Sequence, residues 1–345
     1  MKRLRVMVVD DSLFMRAAIK KILAADPRLE VVGEAKDGNE AVTRAAELRP
    51  DVITMDFNMP NLDGPGAIRR ILRAAPIPVV MLSAHTTEGA RETFEALNAG
   101  AVDFLAKPSD EVSADFSKIK LKLVEKVIAA AEARPREMPP AQARSPKQRI
   151  DSTLVTWPPS GPRVLVVAVS TGGPAALGRL LPMLPADTGF ATIIIQHMPE
   201  GFTGRLAERL DALSAIQVRE AKDGDRPRQA RALIAPGDRH LGIDDAGFIR
   251  LEDGPEVHGC RPAADITMAS VARYYGRRAV GLVMTGMGKD GADGLAAIKA
   301  AGGMTFAQDR DSSVIYGMPK TAIEQGVVDH VAALDDLAAL LVEKL

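Results

Sequence analysis

Cysteine is almost missing from this chain. Cys260 is its single thiol, so no internal disulfide can form, and the composition suits a reducing cytoplasm. An excess of either charge is missing too. The 44 Lys and Arg balance 45 Asp and Glu, for a formal net charge of −1. Bulk electrostatics therefore favours neither nucleic acid nor an anionic membrane surface as partner. No stretch approaches the roughly 18 apolar residues that a membrane helix needs. The opening MKRLRVMVVD is basic and then apolar, as a secretory leader would be, but its apolar run is short and ends in two aspartates. It reads as a first strand. What remains is a globular balance of 46% hydrophobic and 26% charged residues over 345 positions, enough for two ordinary domains, each with its own core.

Two stretches alternate short apolar runs with longer helical patterns. In the first, LRVMVV (4–9), VVGEA (31–35), VITM (52–55), PVVML (78–82) and VDFLA (102–106) are separated by segments such as MRAAIKKILAA, whose apolar residues recur near a 3.6 period. Continuous apolar strands alternating with helices predict a parallel sheet covered on both faces. Another helix is predicted over 118–133. Prolines then fall at 135, 139, 140, 146, 158, 159 and 162 among Arg, Lys, Gln and Ser, the composition of an extended linker. The second alternation runs through RVLVVAV (163–169), ATIII (191–195), RALIAP (231–236), AVGLVMT (279–285) and GGMTFAQ (302–308), with a hairpin expected to turn at Asp245, Ala246 and Gly247. The expected fold class is α/β: two doubly wound parallel-sheet domains, over 1–125 and 161–345, joined by a helix end and Pro-rich linker over 126–160. The halves share a pattern but no obvious sequence repeat.

Open parallel sheets carry functional residues at the carboxyl ends of their strands. In the first half Asp10 and Asp11 follow strand one, Asp56 strand three, Ser83 strand four and Lys107 strand five. Each alone reads as a cap, a turn or a surface residue. Together they form a constellation. Three converging carboxylates repel one another unless a cation neutralises them, and such oxygen ligands suit Mg²⁺. A hydroxyl and an ammonium opposite would contact an added phosphoryl group.

In the second half a strand runs into Ser170-Thr171-Gly172-Gly173-Pro174 and then a helical pattern. A serine at such a turn exposes its hydroxyl beside a helix N-terminus, which favours negative charge. The same residues could be an N-cap or a phosphate-binding loop. The lysine of a P-loop is missing, and so is a full G-x-S-x-G. His197 ends the next strand. Asp290 and Asp293 lie in the glycine-rich loop after a later one, and spacing does not choose between them.

These residues carry two resemblances. Residues 4–125, with MDFNMPNLDG around Asp56, resemble a flavodoxin-like response-regulator receiver. That resemblance implies Asp56 as phosphoacceptor, Mg²⁺ held by Asp10, Asp11, Asp56 and the Asn58 carbonyl, phosphate contacts from Ser83 and Lys107, and an aromatic switch at Phe104. Residues 163–345 resemble the Rossmann-like catalytic domain of the CheB methylesterases through VAVSTGGP, IIIQHMP, TGMGKDGADG and AQDRDSSVIYGMPKTA. The family pattern implies Ser170 as nucleophile, His197 as base and Asp290 as orienting acid. It adds Thr171 beside the nucleophile, the Met287 N–H as oxyanion donor and Arg261 at the rim. Lys289 departs from the usual asparagine, and Ala168-Val169 from a common Gly-Ala.

The activity so implied is hydrolysis of glutamate methyl esters on chemotaxis receptors, with deamidation of selected glutamines. A chemotaxis histidine kinase would be the phosphodonor, methyl-accepting receptors the substrate, and the unphosphorylated receiver the inhibitor. Mg²⁺ belongs to the receiver, and ester hydrolysis needs no cofactor. The implied enzyme is cytoplasmic, is not membrane-inserted and binds no nucleic acid. A DNA-binding output domain would instead be small and basic.

Overall fold

The computed structural model describes residues 3–83, 87–107, 116–133 and 163–345. They fall in two compact units, Met1–Pro140 and Ala141–Leu345. Most of the expected Pro-rich linker, from residue 134 onward, lies outside the described residues.

The first unit alternates strictly: β1 (Leu4–Val9), α1 (Leu13–Ala24), β2 (Leu29–Ala35), α2 (Gly38–Leu48), β3 (Val52–Asp56), α3 (Gly64–Ala74), β4 (Val79–Ser83), α4 (Thr87–Ala99), β5 (Asp103–Ala106) and α5 (Phe116–Glu132). The strands pair in parallel in the order β2-β1-β3-β4-β5, the flavodoxin-like arrangement. All five residues of β3 and all five of β4 are buried, as the unbroken apolar runs require of strands covered on both faces. Short polar side chains start the helices. Ser12, Asp37 and Asp63 each accept a hydrogen bond from the backbone of the first turn, satisfying amides that have no partner within the helix.

The second unit contains β6 (Arg163–Val169), α6 (Gly173–Met183), β7 (Phe190–Gln196), α7 (Phe202–Leu213), β8 (Gln217–Glu220), β9 (Arg231–Ile234), β10 (His240–Ile243), β11 (Ile249–Glu252), α8 (Ala264–Tyr275), β12 (Ala279–Val283), α9 (Ala292–Ala300), β13 (Met304–Gln308), α10 (Met318–Glu324), β14 (His330–Ala332) and α11 (Leu334–Lys344). Seven parallel strands form a sheet in the order β14-β13-β12-β6-β7-β9-β8. The chain enters at β6, builds outward through β7 and β9, and later returns beside β6 at β12 to build the other way. The switch point therefore lies between β6 and β12, where open sheets leave a crevice outside the carboxyl ends of their strands. The hairpin is present as β10 and β11, antiparallel, with Gly247 at φ +83° in its turn.

Sequence periodicity missed two strands, β8 (QVRE) and β14 (HVA). Both are edge strands. Each has one neighbour and an incompletely buried face, so neither carries the continuous apolar run that marked the central strands. Among the described residues no helix is long and apolar enough to cross a membrane.

Phe306 is fully buried in β13, between β12 and β14. Phe306→Ala should destabilise the second unit by about 3–5 kcal/mol. Amide hydrogen exchange should then lose protection in β6 and β12 while protection in β1 and β3 is unchanged.

Candidate active site

Both units gather their chemistry at the carboxyl edge of a sheet. In the first, β1 ends at Asp10 and Asp11, and β3 at Asp56. The three carboxylates offer oxygens that all lie within 4.8 Å of one another. Asp10 is fully buried and Asp56 nearly so. Lys107, just past β5, places Nζ 2.8 Å from Asp10 Oδ2 and 2.6 Å from Asp56 Oδ1. Burial pushes the Asp56 carboxyl up to about 6, against the pull of Lys107 and with the help of the Asp10 charge. For Lys107 burial disfavours the charge, but Asp56 and Asp10 outweigh it and raise the ammonium above its usual range. The charge surplus of a hard oxygen cluster with one ammonium fits a divalent cation of the Mg²⁺ kind. Ser83 is buried at the end of β4. Phe104 is buried in β5, with Lys126 Nζ 6.0 Å from its ring centroid. The Asn58 side chain turns toward α4 and donates to Glu92 Oε1 at 2.9 Å. Sequence reasoning overlooked Arg16. From α1 its guanidinium donates to the carbonyls of Asp10 (2.7 Å) and Asp11 (3.1 Å), holding the backbone of the acidic pair.

In the second unit Ser170 follows β6, and His197 follows its parallel neighbour β7. The His197 N–H donates to the Val169 carbonyl at 3.2 Å, so the two residues sit at adjoining strand ends. The serine turn is braced from three sides. Ser170 N–H donates to Thr285 O at 3.0 Å, Gly173 N–H to Ser170 O at 2.8 Å, and Gln196 Nε2 to Ser170 O at 3.0 Å. Thr171 is buried beside it, and its carbonyl accepts from Thr285 Oγ1 at 2.9 Å. Gly286 must be a glycine because a Cβ there would stand 2.3 Å from Met318 Sδ and 2.8 Å from Ser170 Cβ. The next residue, Met287, is half-buried, and among the described residues its N–H makes no hydrogen bond.

Of the two aspartates in the loop after β12, Asp290 is the one that meets His197. His197 Nε2 lies 2.7 Å from Asp290 Oδ2, and Asp290 is buried. The same Oδ2 accepts the Ala264 N–H at 2.7 Å, and Oδ1 accepts the Asp265 N–H at 3.1 Å. These amides open α8, which has no cap side chain of its own. Asp290 therefore caps that helix from another loop, and the helix N-terminus favours the negative charge. Asp265 returns the arrangement. Its Oδ1 accepts the N–H groups of Gly291 (2.9 Å) and Gly294 (2.7 Å) at the start of α9, and its Oδ2 pairs with His258 Nε2 at 3.0 Å.

Burial opposes charge on His197, but the hydrogen bonds to Asp290 and Cys260 outweigh it and hold the imidazolium above its ordinary range. Burial acts against the Asp290 charge as well, yet His197 and the α8 amides keep the carboxyl below its ordinary value.

His197 and Asp290 are thus joined, with Ser170 at the neighbouring strand end. The Ser170 hydroxyl makes no hydrogen bond among the described residues. Arg261 is engaged elsewhere: its guanidinium pairs with Asp238 (2.8 Å) and donates to Gly254 O (2.6 Å). Lys289 is exposed. Sequence reasoning missed Asp265, Gln196, Thr285 and Cys260. The thiol lay one residue before Arg261, already placed at the rim, and that adjacency was its one signal for the site.

A phosphoacceptor-type acidic cluster on one unit, and a hydroxyl, imidazole and carboxylate at the switch point of the other, make the layout of a response regulator with an enzymatic output domain. Comparison with known proteins agrees. A family model described as CheB methylesterase matches residues 165–341, and one described as response regulator receiver domain matches 6–114. A relative from Symbiobacterium thermophilum, named protein-glutamate methylesterase/protein-glutamine glutaminase, is 46% identical over 97% of this chain and 95% of its own. One of the same name from Pyrococcus horikoshii is 44% identical over 99% and 94%. The Thermotoga maritima CheB methylesterase catalytic domain, a crystal structure, matches with a TM-score of 0.52 and 37% identity, covering 54% of this chain and 100% of that one. The chain belongs to the CheB methylesterase family.

Asp290→Asn removes the charge that favours imidazolium and leaves burial, which favours the neutral ring. The His197 ring protons should then titrate roughly 1–3 pH units lower by NMR. Because the folded pKa lies above the unfolded value of about 6.5, the stability drawn from this pair is complete below that value and is lost as pH rises through the folded one. The variant should lack that alkaline decline in chemical denaturation.

Proposed function

We propose that the second unit is a serine esterase that hydrolyses glutamate methyl esters on chemotaxis receptors and deamidates selected glutamines, and that the first unit restrains it until Asp56 is phosphorylated. The observation carrying this reading is the 2.7 Å bond between His197 Nε2 and Asp290 at the strand end beside Ser170. In the neutral ring Asp290 fixes the tautomer, so the other nitrogen, Nδ1, takes the hydroxyl proton as Ser170 Oγ attacks the ester carbonyl. The carbonyl π electrons move to oxygen. The unengaged Met287 N–H is the donor available to meet that charge, a role worth about 2.7–4 kcal/mol per donor. As the carbonyl re-forms, the C–OCH₃ bond breaks and His197 returns the proton, so methanol leaves. Water, deprotonated by the same nitrogen, then attacks the acyl-serine; the acyl C–Oγ bond breaks, His197 returns the proton to Ser170 Oγ, and glutamate leaves. With a glutamine substrate the leaving group is ammonia.

In the receiver, Asp10, Asp11, Asp56 and the Asn58 carbonyl would hold Mg²⁺, which when bound supplies countercharge to the incoming phosphoryl oxygens. Asp56 is the acceptor. Lys107 already spans Asp10 and Asp56, and together with Ser83 it would bind the new phosphate oxygens. Movement of Ser83 toward the phosphate would alter the space beside Phe104 and so the outer face of the domain. The phosphodonor is a chemotaxis histidine kinase, and the substrate is the cytoplasmic part of a methyl-accepting receptor. Thr171 and Arg261 line the substrate side. Arg261 would have to share or release Asp238 to bind it.

Ser170→Ala should lower methanol release from methylated receptor membranes by about 10³-fold or more while leaving phosphate uptake intact. Near-native turnover in that variant would remove the serine mechanism. Asp56→Asn should take up no phosphate from a small phosphodonor and should show no phosphodonor-stimulated methanol release. Undiminished labelling would refute the acceptor assignment.

A further inference from the structure

His197 has a third neighbour that the esterase mechanism does not use. Cys260 Sγ lies 3.5 Å from His197 Nδ1, within the reach of a sulfur hydrogen bond. An imidazole has two nitrogens. Asp290 occupies Nε2 at 2.7 Å, so Nδ1 is the nitrogen left to accept the serine proton. In this structure the thiol stands at it, and the Ser170 hydroxyl makes no hydrogen bond among the described residues. The thiol is held there by its loop. Val257 and Cys260 exchange backbone hydrogen bonds at 3.0 Å in each direction, with His258 and Gly259 at φ 54° and 73° between them. Arg261, the next residue, is tied to Asp238 and Gly254.

We infer that Cys260 is a positioning residue of the esterase. Its thiol competes with the Ser170 hydroxyl for His197 Nδ1 and holds the ring in a resting arrangement that must open before attack. The inference rests on the serine mechanism proposed above and adds a brake to it. Whether the shared proton sits on sulfur or on nitrogen, the Nδ1 lone pair is engaged, so Ser170 Oγ must displace the sulfur. Among the described residues the charged groups around the ring are few. Asp290 comes from the loop after β12 and Cys260 from the loop before α8. Asp265 of α8, paired with His258, stands one hydrogen bond behind Asp290. Arg261 is committed to Asp238, and Lys289 is exposed. Of these, Cys260 and Asp290 touch the imidazole, and both favour its charged form.

The test uses full-length protein, methylated receptor membranes and the pH profile of kcat/KM for methanol release. Cys260→Ala should raise kcat/KM near neutral pH about five-fold, the factor that matches one net hydrogen bond of ~1 kcal/mol. Its acid limb should move lower in pH by an amount that matches this gain, because one of the two groups favouring imidazolium is gone. Cys260→Ser keeps the size of the side chain but not its acidity. It should shift the limb in the same direction, and it serves if the alanine variant folds poorly. Iodoacetamide gives a second readout: sulfur forms a bond to carbon, iodide leaves, and the thiol proton passes to solvent. Because the chain has one cysteine, no other thiol competes for the label, and peptide mapping checks that it sits on Cys260 and not on His197. Alkylated wild type should lose methanol release, and Cys260→Ser should resist the reagent. Two results would overturn the positioning role while leaving the serine mechanism standing, with Ser170→Ala inactive: an acid limb unmoved in both variants, or full activity in alkylated wild type. Turnover that survives Ser170→Ala and vanishes in Cys260→Ser would overturn it differently, by making the thiol the nucleophile.

Discussion

The second unit depends on a reciprocal pair of carboxylate caps. Asp290, in the loop that starts α9, closes the N-terminus of α8; Asp265, on α8, closes the N-terminus of α9. Each helix would otherwise begin with buried amides that lack partners, because neither has a side-chain cap of its own. Unpartnered buried amides are costly. Satisfying them fixes the two helix ends against each other. The remaining lone-pair capacity of Asp290 Oδ2 then points at His197 Nε2. Asp290 is therefore a structural element as well as the partner of His197. Its position is set by two helices, and the imidazole inherits that position through one hydrogen bond. Gly291, at φ 92°, permits the turn that delivers Asp290 and starts α9 within two residues.

The receiver uses the same sheet-edge logic with the charges reversed in emphasis. Among the described residues its buried carboxylates, Asp10 and Asp56, are bridged by the ammonium of Lys107, just past β5. That balance is partial, since three acids face one base. Partial neutralisation leaves capacity for a cation. In the esterase unit Asp290 instead accepts from two amides and pairs with a ring.

The central strands were readable because strands buried on both faces show unbroken apolar runs, as in VLVVAV of β6 and VVMLS of β4. The edge strands β8 and β14 were not, since half-exposed strands have no such run. Ser170, His197, Asp56 and Lys107 were legible as polar residues just beyond those runs, where an open sheet must place its chemistry. Spacing left Asp290 and Asp293 unresolved. The choice between them rests on which carboxylate faces His197, a contact between residues 93 apart in sequence. Arg261 was legible as a rim residue, but its engagement with Asp238 was not. Cys260 was visible as a statement about redox compartment and as the neighbour of Arg261.

Local pattern alone therefore determined the strand runs, the helices between them and the loops that carry the reactive groups, because burial and periodicity act on neighbours in the chain. Only the tertiary structure decided which of those loops meet. It set Asp290 under the α8 amides, a thiol at the second nitrogen of His197, and Lys107 between two acids. Those pairings are contacts between segments far apart in sequence, and their energies depend on burial, distance and shared hydrogen bonds that no local window contains.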